Sequence, residues 1–452
     1  MTNNNAEFGL YSKRILSEKG LVEGTILIKN GIISKLIEGK FSEQGIEIKD
    51  FNVLVIQAGI IDCHVHINEP GRTEWEGFET MTKAALAGGI TTLVDMPLNA
   101  SPVTTSKNAF EIKLKATEGK LYCNCAFWGG IVPKNIDFLD ELIAEGVFGI
   151  KAFLTHSGID DFPNVTLEDL KKGLPILKKY NVPLLVHAEL DEMHDDLLAF
   201  EKNPTSYQAY LKSRPKIWED NAIDLAISLC EEFDTPVHIV HLSSANKIDK
   251  IKKARAKGLK LTVETCPQYL FFNAEDIPDA QTIFKCAPPI REKGNNDKLW
   301  AALKDGTIDF IVTDHSPATP NLKEIESGNL KKAWGGIASI QFSLPIIWTE
   351  AQKRGFSIEE IGKLVSSNIA SFLKLENSKG TIAEGMDADL VIWNPEEEFV
   401  VREEEIHYKH KISPYMNQKL KGKIKETFIA GKKVFENGNF VSLPIGKIIL
   451  RK

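Results

Sequence analysis

A run of apolar residues closes on two histidines one residue apart, "VLVIQAGIIDCHVHINEPG", residues 53–71. Along a β-strand alternate side chains share a face, so Asp62, His64 and His66 project together from an otherwise apolar segment. These residue types suit a divalent cation, although a single His-x-His pair is more often a pair of surface or hydrogen-bonded core histidines. Similar residues recur at the ends of later β-rich runs: Lys151 in "GIKAFL", His187 in "LLVHAE", His241 in "HIVHLSS" and Asp314 in "VTDHSP". The chain has ten histidines, and four of them stand at such ends. Unrelated core histidines would be scattered, whereas a metal site needs this convergence, because imidazole and carboxylate are the usual ligands of zinc-like dications.

Lys151 is the exception in this set. A strand-end lysine can form a Schiff base, or run its stem along the rim to solvent. Beside two dications its ammonium would be repelled. Four neutral histidines and one aspartate leave two dications with a single compensating negative charge, so the charge balance favours a carbamate made on Lys151 from carbon dioxide.

Residues this far apart need a repeating frame to meet. Between residues 56 and 375, eight short β-rich runs, from "VIQAGIIDCHVH" and "ITTLVDMP" to "KLTVETC" and "IDFIVTDHS", alternate with segments of helical period such as "TLEDLKKGLPILKKY" and "WEDNAIDLAISLCEEF". Strand and helix repeated in this way predict an α/β chain with a (β/α)8 TIM-like barrel, whose active site forms at the C-terminal ends of the strands. A doubly wound sheet is the competing architecture, but it would usually carry a Gly-rich phosphate turn after its first strand, and "HINEPGRTEWEG" is not one. Residues 1–55 hold alternating strands around Asn30-Gly31, and residues 376–452 repeat the style in "TFIAGKKVFENGNF". Neither end can bury a core alone, so the two are expected to form one small composite β-sandwich beside the barrel.

At 452 residues, 43% hydrophobic and 26% charged, the chain has the composition of an ordinary soluble protein. Its net charge of −7 argues against nucleic acid or an anionic membrane as partner, since both select a basic face. No apolar run is long enough to span a bilayer and "MTNNNAEFGLYSKR" lacks a secretory h-region, so a cytoplasmic location is expected. Cys63, Cys123, Cys125, Cys230, Cys266 and Cys286 are too dispersed for a disulfide framework.

The segment "GIIDCHVHINEPGRTEWEGFETMTKAALAGGITTLVDMPLN" resembles the first-strand region of the amidohydrolase superfamily, in its cyclic-amidase branch and within that the allantoinase group. The likeness continues through "GIKAFL", "LLVHAE", "HIVHLSS", "VETCPQYL", "KCAPPIR" and "VTDHSP" to "GTIAEGMDADLVIW". It implies hydrolytic opening of a cyclic ureide, allantoin to allantoate, in ureide nitrogen catabolism. It further implies a binuclear centre of zinc, with cobalt or manganese as alternatives. His64 and His66 would hold the first metal and His187 and His241 the second. A carboxylated Lys151 would bridge them, and Asp314 would be both ligand and proton carrier. The same resemblance implies a homotetramer.

Two departures within the branch bear on substrate. Dihydroorotases carry an arginine two residues after the second histidine, where it grips a substrate carboxylate; here the position is Asn68, which can bond a neutral ureide but cannot neutralise a carboxylate. Dihydropyrimidinases and hydantoinases place a tyrosine five residues after the bridging lysine, and here that position is His156. Asn68, Asn99, His156, Cys286 and Pro288 are the candidate substrate contacts, with turn capping or support of the ligands as the milder reading. A hydantoinase of broader range and a metal-free assembly protein on the same fold are the alternatives.

Overall fold

Parallel pairing of short, β-branched runs needs a long crossover between them, and here the crossovers are helices. In the computed structural model, which describes residues 7–452, the barrel strands are Ile60–Val65, Ile90–Asp95, Asn124–Phe127, Ile150–Phe153, Leu184–His187, Val237–Ile239, Leu261–Thr265 and Phe310–Ile311. The first three form one parallel ladder. The last five form another, which reaches back to the third strand through Gly129–Gly130. Two contacts close the circle: the Phe148 N–H donates to Phe127 O at 3.0 Å, and Val65 bridges in parallel to His315.

The helices lie where apolar residues recur every three or four positions. Phe78–Ala87, Leu167–Tyr180, Lys216–Phe233 and Ile248–Ala256 are the clearest. Leu167–Tyr180 opens with a reciprocal cap in which the Asp169 N–H donates to Thr166 Oγ1 at 3.2 Å and the Thr166 N–H to Asp169 Oδ2 at 2.9 Å. It buries Leu170, Gly173, Leu174 and Leu177 along one stripe. Two further helices, Asp195–Lys202 and Tyr207–Ser213, are inserted between the fifth strand and its crossover helix. Among the described residues, no helix is long and apolar enough to cross a membrane.

The second domain is β-rich and drawn from both ends of the chain. Phe8–Ser17, Gly20–Lys29, Ile32–Glu38 and Glu47–Asp50 join Leu390–Val400, Lys419–Ile429, Lys432–Glu436 and Asn439–Phe440 through Val55–Ala58 in one nine-stranded sheet. Ile15, Ile28, Ile56, Leu390, Ile392 and Phe428 share its apolar core. The run expected as one strand, 55–66, is therefore two. Val55–Ala58 stays in the sheet and Ile60–Val65 enters the barrel, with the change at Gly59, where an added Cβ would meet Thr91 Oγ1 at 2.0 Å. The far C-terminus also departs from the sheet. Ile449 donates to Cys125 O, and Cys125 to Lys447 O, both at 2.9 Å, so the tail covers the open edge of the third barrel strand.

One buried carboxylate joins the two domains. Asp389 accepts from Lys379 Nζ at 2.6 Å, from Asn124 Nδ2 of the barrel at 2.9 Å and from the Ala430 N–H of the sheet at 2.7 Å. Asp389→Ala would strand the Asn124 amide and the Ala430 N–H, while Lys379 would keep Asp387 at 2.9 Å. The expected loss is about 3 kcal/mol, read as an earlier urea unfolding midpoint.

Candidate metal centre

The first strand ends at Val65, and the backbone just beyond it carries His66 onto the same rim as His64. The Nε2 atoms of both rings lie 3.3 Å from Asp314 Oδ1. One ligand atom from each of the three falls within 4.8 Å of the others, and all three residues are buried. On the opposite side of the cavity floor, His187 Nδ1 stands 2.9 Å from His241 Nε2. The His64 and His241 rings, 5.3 Å apart, join the two pairs. Among the described residues Lys151 Nζ, buried there, has no hydrogen-bond partner; it lies 5.0 Å from the Phe153 ring, which itself stacks on His187 at 4.5 Å.

Two more of these residues lie beyond the ladders. The sixth strand stops at Ile239 and the eighth at Ile311. His241 (φ 38°) and Asp314 (φ 47°) then adopt the left-handed conformation, as do Asn68 and Asn99 (both φ 66°). Non-glycine residues pay a steric penalty there, and such strain concentrates at functional sites.

Electrostatics set the protonation states. Burial pushes the imidazoles of His64, His187 and His241 below their ordinary value, leaving them neutral with a free lone pair. Burial likewise lowers the Lys151 amine to about 7, against the opposing pull of Glu264 and Asp314. For Asp314, burial acts upward, but the neighbouring His64 and His66 rings outweigh it and hold the carboxyl below its usual range.

Which ring nitrogen is free depends on a surrounding set of polar groups. Glu264 bonds His64 Nδ1, leaving Nε2 toward Asp314. Glu189 Oε2 accepts from His187 Nε2 at 2.9 Å, leaving Nδ1 toward His241. The Asn99 amide lies 3.3 Å from His66 Nδ1, and its Oδ1 has no partner among the described residues. Turned over, that amide accepts the Nδ1–H and frees His66 Nε2. Asp62 accepts the N–H groups of His64 and Thr313, both at 3.1 Å, tying the first strand to the segment after the eighth. Asp95 accepts the Ile67 N–H at 2.8 Å and the Lys113 ammonium at 2.5 Å. His315 points away, its Nδ1 accepting from the Ser339 N–H at 2.9 Å.

Glu264, Glu189 and Arg214 were not anticipated from sequence. Arg214 Nε donates to Glu189 Oε1 at 3.0 Å. Although burial acts upward, Arg214 and His187 hold the Glu189 carboxyl down at about 2. The available signal was an acid within an apolar run, "KLTVETC" and "LLVHAEL".

A cavity of about 330 Å³ opens above these groups, lined by the six strand-end residues and by Asn99, His156, Arg214, Lys285 and Trp334. The structure thus brings Asn99 and His156 to the cavity. Asn68, Cys286 and Pro288 are not among its lining residues. Asn68 has left the extended conformation that would aim it inward, and its Nδ2 faces Pro317 O at 3.4 Å. The carbonyls of Cys286 and Pro288 are taken by the hydroxyls of Tyr210 and Tyr269, at 2.6 and 2.9 Å, and Ala287 between them lines the wall instead.

Relatives share this chain nearly end to end. An allantoinase of Arabidopsis thaliana is 44% identical over 98% of this chain and 91% of its own. One of Saccharomyces cerevisiae is 41% identical over 93% and 94%. Among solved structures, the L-hydantoinase (dihydropyrimidinase) from Arthrobacter aurescens superposes with a TM-score of 0.91 at 27% identity, covering 98% of this chain and 99% of its own. A D-hydantoinase gives 0.89 at 28%, covering 99% of both. The description "Amidohydrolase family" matches residues 55–434, a span that takes in every barrel strand from Ile60 onward and most of the C-terminal half of the sheet. With its rim imidazoles and carboxylate carried on that span, the chain belongs to the amidohydrolase family.

Proposed function

We propose that this protein hydrolyses allantoin to allantoate with two divalent cations held at the barrel rim. The observation that carries the reading is the buried convergence of His64, His66 and Asp314 in a chain whose near full-length relatives are allantoinases. In the proposal, His64 and His66 serve one cation, His187 and His241 the other, and Asp314 the first together with the reacting proton. Lys151, converted to a carbamate, would add an anionic ligand to that set. The donor set fits such a pair of ions: His187 Nδ1 and His241 Nε2 converge at 2.9 Å, and among the described residues the buried Lys151 amine has no hydrogen-bond partner. Zinc, cobalt and manganese all suit these ligands. A homotetramer in the cytoplasm belongs to the same proposal.

When bound, the cations would acidify a water and draw charge from the ring carbonyl under attack. The chain's own groups supply the rest. Asp314, ionised and facing His64 and His66, accepts the proton from the attacking water and returns it to the amide nitrogen as the ring C–N bond breaks. Glu264 and Glu189 keep the ligand nitrogens aimed inward, and Asn99 and His156 stand where they can bond the ureide. A hydantoinase of broader range is the second reading, favoured by the structural neighbours.

Three measurements test this. Assayed side by side on allantoin, hydantoin, dihydrouracil and dihydroorotate, the metal-loaded protein should turn over allantoin fastest and lose that activity to a chelator; faster turnover of hydantoin or dihydrouracil would select the second reading. Lys151→Ala should lose bound metal and activity together, with part of both returning when a short carboxylic acid is supplied; full activity in that variant would remove the bridging role. Asp314→Asn should lower kcat by roughly 10²–10⁴-fold with KM little changed in metal-replete protein, whereas a change in KM alone would reassign the residue.

A further inference from the structure

Glu264 sits wholly buried on the seventh barrel strand and serves two of the proposed ligands at once. Its Oε1 takes Nδ1 of His64 and also accepts the backbone N–H of His241 at 3.2 Å. Its Oε2 accepts from His238 Nε2 at 2.9 Å, and the other nitrogen of that ring meets Thr262 Oγ1 at 2.8 Å. His64 stands on the first strand and His241 just past the sixth, so a single carboxylate spans two separate parts of the barrel.

The bond to His241 comes at a point of need. The sixth strand has ended at Ile239, so the His241 N–H has left the parallel ladder, and the residue is turned into the left-handed region at φ 38°. A buried N–H without an acceptor would be costly, and a strained conformation persists only where its surroundings over-determine it. Glu264 meets both requirements. The bond to His64 does different work, fixing the tautomer so that the Nε2 lone pair faces the cavity and making that nitrogen more basic.

We infer that Glu264 is a positioning residue that couples the two cation sites, because one of its oxygens fixes the nitrogen offered by His64 and the backbone turn from which His241 offers its ring. This rests on the metal-centre reading above. A carboxylate that only filled and satisfied the core would support folding without setting metal affinity. Coupling requires instead that both sites weaken together when the carboxylate is changed.

Glu264→Gln has nearly the same shape. Its amide oxygen can keep the Oε1 contacts and its nitrogen can donate to His238, but the negative charge is gone. Metal-stripped protein titrated with zinc(II) against a chromogenic chelator should show both dissociation constants rising roughly 10–100-fold, with an unchanged far-UV spectrum. Wild-type constants at both sites, or a change at one site alone, would overturn the inference. Glu264→Asp keeps the charge but falls short by one methylene. It should weaken both sites in the same way, and it supplies the test if the glutamine variant does not fold. Failure of the wild-type chain to take up zinc(II) would instead remove the metal-centre reading itself.

Discussion

A lysine amine without a partner, sealed in the floor of the cavity, constrains everything around it. Lys151 Nζ is buried and, among the described residues, makes no hydrogen bond, and an unpaired ammonium in that position would cost several kcal/mol or more. The amine must therefore lose its proton or be converted to something the site can hold. Its effect on its neighbours points the same way, since a charge on Lys151 would depress His64, His187 and His241 further. The cluster is stable when the rings are neutral and the floor carries little positive charge. That is also the state in which dications bind best.

Geometry comes from the groups behind the ligands. Barrel strands deliver the residues to one rim but do not choose which imidazole nitrogen faces inward; Glu264, Glu189 and the Asn99 amide do. Nor does the ladder reach all of the ligands. His241 and Asp314 lie past the last paired residues of their strands, in left-handed conformations that cost of order 1–3 kcal/mol each. A closed barrel with an extensive apolar core can support such local cost, and a loosely packed loop could not. The hydrogen bonds of Asp62 and Asp95 to backbone N–H groups near His64 and His66 brace the first strand's end in the same way.

What the sequence discloses follows from what stands out of place in it. Histidine, lysine and aspartate at the ends of apolar runs were visible because those runs otherwise bury their side chains, and helices such as Leu167–Tyr180 were visible through their period and cap. Glu264 and Glu189 were hidden because one acid among alternating residues looks like an ordinary solvent-facing position, and only the closed barrel turns both of its strand faces toward packed interior. The divide at Gly59 was hidden because apolar residues continue on both sides of it, in the sheet and then in the barrel. The tail's pairing with Cys125 depends on an edge left open some three hundred residues earlier, which no local pattern announces.

Asn68 shows why residue identity alone does not settle substrate choice. Its lack of charge was the sequence argument for a neutral ureide over a carboxylate, yet its side chain faces Pro317 O outside the cavity. Cations do line the cavity around the metal-site residues: Arg214, Lys285, Lys331 and Lys332. Arg214 is held by both oxygens of Glu189, which neutralises it. Lys285 donates to the Ala333 carbonyl at 2.5 Å, and burial lowers its amine to about 8. Lys331 pairs with Glu201 at 2.7 Å. Glu189 and Glu201 offset the charges of Arg214 and Lys331, and burial weakens that of Lys285, so these side chains can donate N–H bonds to a neutral ring rich in carbonyl acceptors without a counter-ion. A substrate carboxylate would have to compete with Glu189 for Arg214, and displacing it would leave the buried Glu189 charge with only the neutral His187 ring as partner. At Arg214 the existing ion pair thus disfavours a carboxylate and suits a neutral ring better.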